Sequence, residues 1–271
     1  MNDLVFVKLG GSVITDKTRP ETPRPETIAR LAGEVAAALA ARPALRLVVG
    51  HGSGSFGHVA AQRAGTRSGV HSAADWRGFV EVAAAAARLN RLVTELFLAA
   101  GVPVWSLQPS ASAWCRGGEL VSLELLPVEW ALSRGLVPLV YGDVALDDLQ
   151  GGTIISTEQI LAYLARRIRP ARMVLAGEVD GVFEADPLRE PGARPIAEIT
   201  AANWPEVRAR LGDSHGTDVT GGMLAKVEEM VKLVGELPGL EAHIFSGRRT
   251  DALKSALLNP AEATGGTWIR G

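Results

Sequence analysis

The sequence predicts an α/β protein whose central sheet is mostly parallel and covered by helices on both faces. Three observations carry this expectation. Short apolar runs alternate with helix-periodic segments along the chain, two early runs end in glycine-rich turns, and no long apolar span or cysteine framework offers a competing architecture. Strand-like runs fall at 5–8, 45–49, 102–106, 136–140 and 172–176, with later ones at 241–246 and 267–270. Helical patterns cover 26–41, 75–100, 128–133, 158–167, 201–211 and 222–237. In such a sheet the carboxyl ends of the strands share one edge, where ligands bind.

The first run, Leu4-Val5-Phe6-Val7, enters Lys8-Leu9-Gly10-Gly11-Ser12, and the second, Leu47-Val48-Val49, enters Gly50-His51-Gly52-Ser53-Gly54-Ser55-Phe56-Gly57-His58. Glycine lets successive backbone N–H groups converge on an anion, and a following helix adds the positive end of its dipole. One turn hints at a nucleotide; two suggest two phosphorylated groups facing each other. Neither turn fits the P-loop, and Gly52-Ser53-Gly54-Ser55-Phe56-Gly57 only partly imitates a dinucleotide fingerprint. A tight βα turn without a ligand remains open for each.

Length and composition bound the rest. With 271 residues, 47% of them apolar, the chain can bury a full core, and a single domain over 1–271 is expected rather than two small ones. A net charge of −2 without a basic block leaves no electrostatic footprint for nucleic acid, which favours small-molecule chemistry. Cys115 is the single cysteine, so an intramolecular disulfide and a multi-cysteine zinc site are excluded and a reducing cytoplasm is expected. The N-terminus lacks the basic-then-apolar pattern of a secretory signal. The most apolar helical stretch, 79–100, is interrupted by Glu81, Arg88, Asn90, Arg91 and Glu95, so no membrane span is expected.

Two irregular segments stand out. Three prolines with Arg19, Glu21 and Arg24 make 18–25 an exposed loop, either a plain connector or a lid beside the first glycine turn. Pro187, Pro191, Gly192 and Pro195 mark a second one at 186–195. The run Ala83 to Ala87 lets a helix pack closely or leaves room for a ligand.

Phosphoryl transfer asks a protein to align donor and acceptor and to neutralise the migrating group, so cations and backbone donors matter more than a covalent nucleophile. Lys8 ends an apolar strand at the ligand edge, where its charge wants an anionic partner; Lys17, beside Asp16 in a polar loop, reads equally as a solvated surface lysine. His58 follows the second turn, where its imidazole can donate to a phosphate or simply cap a helix, and His51 reads as a structural donor to its own turn. Gly177 through Phe183 follows a strand and carries Asp180-Gly181, which is also a hairpin dipeptide. Asp218-Val219-Thr220-Gly221-Gly222 opens a helix carrying Lys226, a third place able to receive phosphate oxygens or an ordinary capped helix. In Gly151 through Gln159, Ser156 and Gln159 form a plausible capping box. Glu158 then lies in the first helical turn, either for the helix dipole alone or to hold the lysines in position.

Together these segments resemble the amino acid kinase superfamily, and within it the isopentenyl phosphate kinases, over essentially the whole chain. The anchors are Lys8 through Lys17, His51 through His58, Val179 through Phe183 with Asp186-Pro187, and Asp218 through Met223 with Lys226. The ending Ser55-Phe56-Gly57-His58 looks like the branch whose acceptor is itself a phosphate or phosphonate.

The resemblance implies a three-layer αβα sandwich with a central, mostly parallel open sheet, usually a homodimer. The N-terminal half, about 1–170, would bind the acceptor and the C-terminal half, about 171–271, MgATP. The reaction would convert isopentenyl phosphate and ATP into isopentenyl diphosphate and ADP. Catalytic roles would fall to Lys8, Lys17, His58, Lys226 and Glu158. ATP contacts would come from Lys8, Gly10, Gly11, Ser12, Gly54, Asp180, Gly181, Gly221, Gly222 and Lys226. Ser53, Gly54, His58, Thr157, Phe79 and Ala83 would contact the acceptor. Mg2+ would travel on the nucleotide, without dedicated protein ligands. Trp76, Phe79, Val82, Ala83, Ala86, Val140 and Tyr141 would line a pocket for the isoprenoid tail or form an ordinary core face. The chain departs from the family pattern at Ser53, where a glycine is usual, and at Ser156-Thr157-Glu158-Gln159, where relatives carry Ser-Gly-Asp-Asp. A fosfomycin-kinase-like activity, a kinase of carboxylates and a non-catalytic nucleotide sensor are the competing readings.

Overall fold

The computed structural model describes residues 3–57, 69–185, 187, 190, 192–213, 222–261 and 263–271; for 212, 213 and 222 it describes the backbone only. The first strand, β1 (Leu4–Leu9), is buried along its whole length and runs through Gly10 into a single helical turn, α1 (Gly11–Ile14). Helix α2 (Pro25–Ala41) starts on a proline, whose missing N–H costs nothing in a first turn, and leads to β2 (Arg46–His51). The long helix α3 (Ala73–Ala99) opens with a capping box in which Ser72 and Asp75 exchange side-chain and backbone hydrogen bonds. After β3 (Val104–Ser106) come β4 (Trp114–Arg116), β5 (Glu119–Ser122), α4 (Leu126–Ser133), β6 (Val137–Tyr141), β7 (Asp143–Asp147) and β8 (Gly151–Ile155). Helix α5 (Thr157–Ile168) and β9 (Arg172–Gly177) follow, then the short strands β10 (Val182–Phe183), β11 (Pro195–Ile196) and β12 (Glu198–Ile199). The chain ends with α6 (Trp204–Asp213), α7 (Gly222–Glu236), β13 (Glu241–Ser246), α8 (Ala252–Leu258) and β14 (Thr267–Ile269).

Eight strands form the main sheet in the order β12-β14-β13-β9-β1-β2-β6-β3. Every neighbouring pair is parallel except β13 with β14. Alternation along the strands sends side chains to two cores. Phe6, Val48, Leu175 and Ile244 pack against α5 and α7 on one face, and Val5, Val7, Val49, Val174 and Phe245 against α2, α3 and α8 on the other. The expected α/β class and the sheet covered on both faces are therefore observed. A second sheet, β5-β4-β7-β8, extends from the end of β6.

Central strand β1 pairs with β2 on one side and with β9 on the other. The chain moves outward from β1 in both directions, which opens a crevice above the carboxyl ends of β1, β2 and β9. Both glycine turns lie at this edge.

Some expectations shift in detail. The run predicted at 102–106 shortens to Val104–Ser106, since Pro103 has no N–H to give a ladder. The helix expected at 201–211 starts at Trp204; residues 201–203 form a turn in which Asn203 accepts the Thr200 N–H. Asp180-Gly181 is no tight hairpin, because β10 pairs antiparallel with β11 across residues 184–194. Gly181 has φ 103° instead, and a Cβ there would run into Thr267 and Gly266.

Candidate active site

The two glycine turns touch backbone to backbone. A Cβ on Gly11 would stand 2.5 Å from the Gly54 nitrogen, and one on Gly52 would stand 2.9 Å from the Gly11 nitrogen. Gly54 has φ +51°, and its absent Cβ would collide with the Thr15 hydroxyl and the Gly11 carbonyl. Glycine is required here for contact as much as for conformation. The first amides of α1 have no partners within that helix by geometry and face the same edge. Residues 54–57 form a helical turn, and the Ser53 side chain folds back over Gly57, so the additional hydroxyl at position 53 is accommodated by the missing side chain four residues later.

Lys8 reaches across to α5. Its ammonium donates to Glu158 Oε1 at 2.5 Å, with the side chains 8% and 16% exposed. Burial alone pushes the Glu158 carboxyl up, but the charges of Lys8 and Lys226 and the hydrogen bond from Lys8 outweigh it, so the carboxyl titrates below its ordinary range. Lys226, half-buried in α7, is thus an electrostatic neighbour of the pair. Ser156 and Gln159 also make the expected capping box, with Gln159 Nε2 donating to the Gly118 carbonyl. Glu158 therefore sits in the first turn of α5 and pairs with Lys8, the first of the two lysines, Lys8 and Lys17, that it was expected to hold. Thr157 donates its hydroxyl to the His51 carbonyl at 2.7 Å, tying α5 to the second glycine turn.

The loop after α1 folds onto both turns. Asp16 N–H donates to Thr22 O, Arg24 N–H to Ile14 O, and Thr15 bridges Pro23, which makes a small hairpin with Lys17 exposed near its tip. Asp16 is pulled down to about 2 by hydrogen bonds from Thr18 and Arg19. Thr22 N–H donates to the Ser55 hydroxyl at 3.0 Å, and Arg88 of α3 grips Glu21 through two hydrogen bonds. Arg24 donates to the Ser12 carbonyl at 2.7 Å. As a connector or lid, this loop is pinned to the second glycine turn and to α3.

His51 is fully buried and stacks on Tyr141, ring centroids 5.6 Å apart, with Nε2 3.1 Å from Asn90 Oδ1. Burial lowers its pKa, so the ring is neutral at pH 7 and structural, as expected. Asp180 clamps the end of β13: Oδ1 accepts from Ser246 N at 3.0 Å and Oδ2 from Arg249 at 2.8 Å. Along α3, Phe79 and Ala83 are partly exposed and Phe79 covers Gly152 of β8, with Trp76 edge-on to Phe79. Val82, Ala86, Val140 and Tyr141 are buried, so the core-face alternative describes those four.

His58, Asp186, Asp218, Thr220 and Gly221 lie outside the described residues. Gly10, Gly11, Ser12, Lys8, Ser53, Gly54, Thr157 and Glu158 are gathered at one sheet edge, with Lys226 facing them. Sequence reasoning missed Thr15 and Asn90. Neither carries charge, and the one available signal was a threonine two residues before Lys17. Among the described residues, no group of three or more His, Cys, Asp or Glu side chains is gathered as metal ligands would be, and no helix is long and apolar enough to cross a membrane.

Comparison with known proteins gives consistent findings. The sequence model of the amino acid kinase family matches residues 3–246. An isopentenyl phosphate kinase of Methanothermobacter thermautotrophicus is 34% identical over 276 residues, covering 99% of each chain. One from Haloferax volcanii is 37% identical over 270 residues, again with 99% of each covered. Among solved structures, an isopentenyl phosphate kinase superposes with a TM-score of 0.83 at 30% identity, covering 98% of this chain and 99% of that one.

Proposed function

Because the chain belongs to the amino acid kinase family and is similar along its whole length to isopentenyl phosphate kinases, we propose that it transfers the γ-phosphoryl group of ATP to isopentenyl phosphate, giving isopentenyl diphosphate and ADP. The single observation that carries this reading is the backbone contact of two glycine turns beside a buried, carboxylate-paired Lys8. Two anions brought to these turns meet head to head, next to an ammonium whose position is already fixed.

The acceptor oxygen is ionised at neutral pH, so no general base is required and catalysis rests on alignment and charge. Backbone amides of Gly11 and Ser12 receive ATP phosphates, while the Gly10 N–H, expected to join them, is taken by the Ala176 carbonyl at 2.8 Å and so fixes the turn instead; Ser53, Gly54 and His58 hold the acceptor phosphate, and Thr157 steadies that turn. Lys8, Lys226 and Lys17 neutralise the migrating group, Lys17 as the transition-state stabiliser, while Glu158 keeps Lys8 aimed and compensates its charge before the nucleotide arrives. Asp180, Gly181, Gly221 and Gly222 belong to the nucleotide side. Phe79 and Ala83, partly exposed on α3, contact the alkyl tail. The whole chain, 1–271, works as one domain, with acceptor binding in about the first 170 residues and ATP binding in the remainder. Mg2+ rides on the nucleotide phosphates, a hard cation on hard oxygens. The working form is a homodimer in the cytoplasm.

Incubation with MgATP and a set of alkyl monophosphates, followed by product mass, tests the reading. A gain of one phosphoryl unit on isopentenyl phosphate is the expected result; ATP binding without transfer to any member of the set overturns it.

A further inference from the structure

Two anion-binding turns support in-line transfer only if their separation is fixed; at their base the Gly52 N–H donates to the Leu9 carbonyl at 3.0 Å, but the glycine-to-glycine contact beyond it has no directional bond of its own. A buried side chain supplies it. Thr15, fully buried at the end of α1, donates its hydroxyl to the Gly11 carbonyl at 2.7 Å and accepts the Ser55 N–H at 3.0 Å. One oxygen thus bonds the first glycine turn on one side and the second on the other. The Gly11 carbonyl also accepts the Thr15 N–H at 3.0 Å, so residue 15 holds that turn twice. Gly54, bare of a side chain at φ +51°, is what lets the hydroxyl come so close. Ser55 in turn receives the Thr22 N–H on its hydroxyl, and Glu21 N–H reaches the Ser55 carbonyl, so the loop bearing Lys17 leaves from and returns to the same junction.

We propose that Thr15 is a positioning residue that sets the spacing and register of the two phosphate-binding turns and the departure of the Lys17 loop. The proposal rests on the phosphoryl-transfer reading above. Without the hydroxyl, the Ser55 N–H is left buried without an acceptor and the turns keep only the Gly52–Leu9 bond at their base, so misalignment in the transition state follows rather than loss of either ligand.

The test compares Thr15→Val, of similar shape but without the hydroxyl, with Thr15→Ser, which keeps it. Full-length proteins are assayed with MgATP and isopentenyl phosphate, and kcat is normalised to the folded fraction from thermal melting. Expected is a fall in kcat of at least tenfold for T15V, with both KM values within about threefold of wild type, and recovery to within about threefold in kcat for T15S. Wild-type kcat in T15V overturns the proposal. Impairment of T15S equal to that of T15V also overturns it, because the methyl packing would then be what counts. Should T15V not fold, Thr15→Ala is read in its place by the same criteria, and failure of both to fold makes Thr15 a residue of the fold and overturns the positioning role. Failure of the functional reading is separate: it shows as absence of product with the wild-type protein, before any variant is compared.

Discussion

At the scale of single residues, the Lys8–Glu158 pair has the sharpest consequences. A buried ammonium without a counter-charge is costly, and Glu158 relieves it while no phosphate is bound. The same carboxylate repels incoming phosphates. Glu158→Gln is therefore expected to bind ATP at least as tightly as wild type by calorimetry while kcat falls about tenfold, about 1.4 kcal/mol in the barrier; weaker ATP binding would contradict this account of the pair. His58 belongs to the acceptor side in the proposed scheme. His58→Ala should raise the acceptor KM or lower kcat by about tenfold or more with the ATP KM nearly unchanged, and normal turnover in steady-state assays would remove the role. Lys8 was legible in the sequence because a lysine ending an apolar strand is chemically unusual. Its partner Glu158 was legible only as one of two alternatives, because 150 residues separate the two and only the sheet order brings α5 over β1. Thr15 was silent for a different reason: a small uncharged side chain shows its use only when both of its hydrogen-bond partners are seen.

At the scale of elements, what could be read was whatever repeats for long enough to be periodic. Helices α2, α3, α5 and α7 and strands β1, β2, β6, β9 and β13 fall where hydrophobic patterning put them, and the box formed by Ser156 and Gln159 fixed the start of α5. Strands β4 and β10, of three and two residues, and the seven-residue α8 are too short for a period to show. Helix α8 also starts unusually, from Asp251 at φ 60° with no side-chain cap. Its first turn is held from a distance: Glu34 of α2, itself anchored by Arg30, accepts the N–H groups of Leu253 and Lys254 at 2.9 and 3.2 Å. Arg30 also donates to the carbonyls of Gly247 and Arg249, so one ion pair ties α2 to the whole segment after β13. Glu34→Ala should lower stability by about 2 kcal/mol, seen as a fall in Tm of roughly 4–8 °C. An unchanged Tm would mean that water satisfies those amides equally well.

At the scale of the whole molecule, two buried histidines couple folding to pH. Burial lowers the pKa of both His51 and His243, the latter stacked on Trp268 at 4.2 Å and on Phe245 at 5.3 Å. Below pH 6.5 the unfolded chain takes up protons at these positions and the native state does not, so their contribution is complete above about 6.5 and is lost as pH falls towards the native values. Asp143 works in the opposite sense, since burial raises its carboxyl. The expected result is a falling Tm between pH 7.5 and 5.5 by calorimetry, with a shallower slope in His243→Phe; equal slopes would assign the effect elsewhere. Class and layering were readable at this scale, because parallel α/β order is written in alternation. The accessory sheet was not: its hairpins close locally, β4 to β5 over Gly117-Gly118 and β7 to β8 over 148–150, but the parallel pairing of β4 with β7 that joins them links segments about thirty residues apart. The placement of β1 has a further effect on how the protein comes into being. Its two neighbours are supplied by segments far apart in the chain, one at 46–51 and the other at 172–177. A nascent polypeptide that has not yet released β9 from the ribosome exposes a long, apolar, unpaired edge on β1, the kind of edge that recruits other chains. Fragments cut between the halves should accordingly be inactive and sticky when alone, and activity should emerge late in synthesis, once the second neighbour docks.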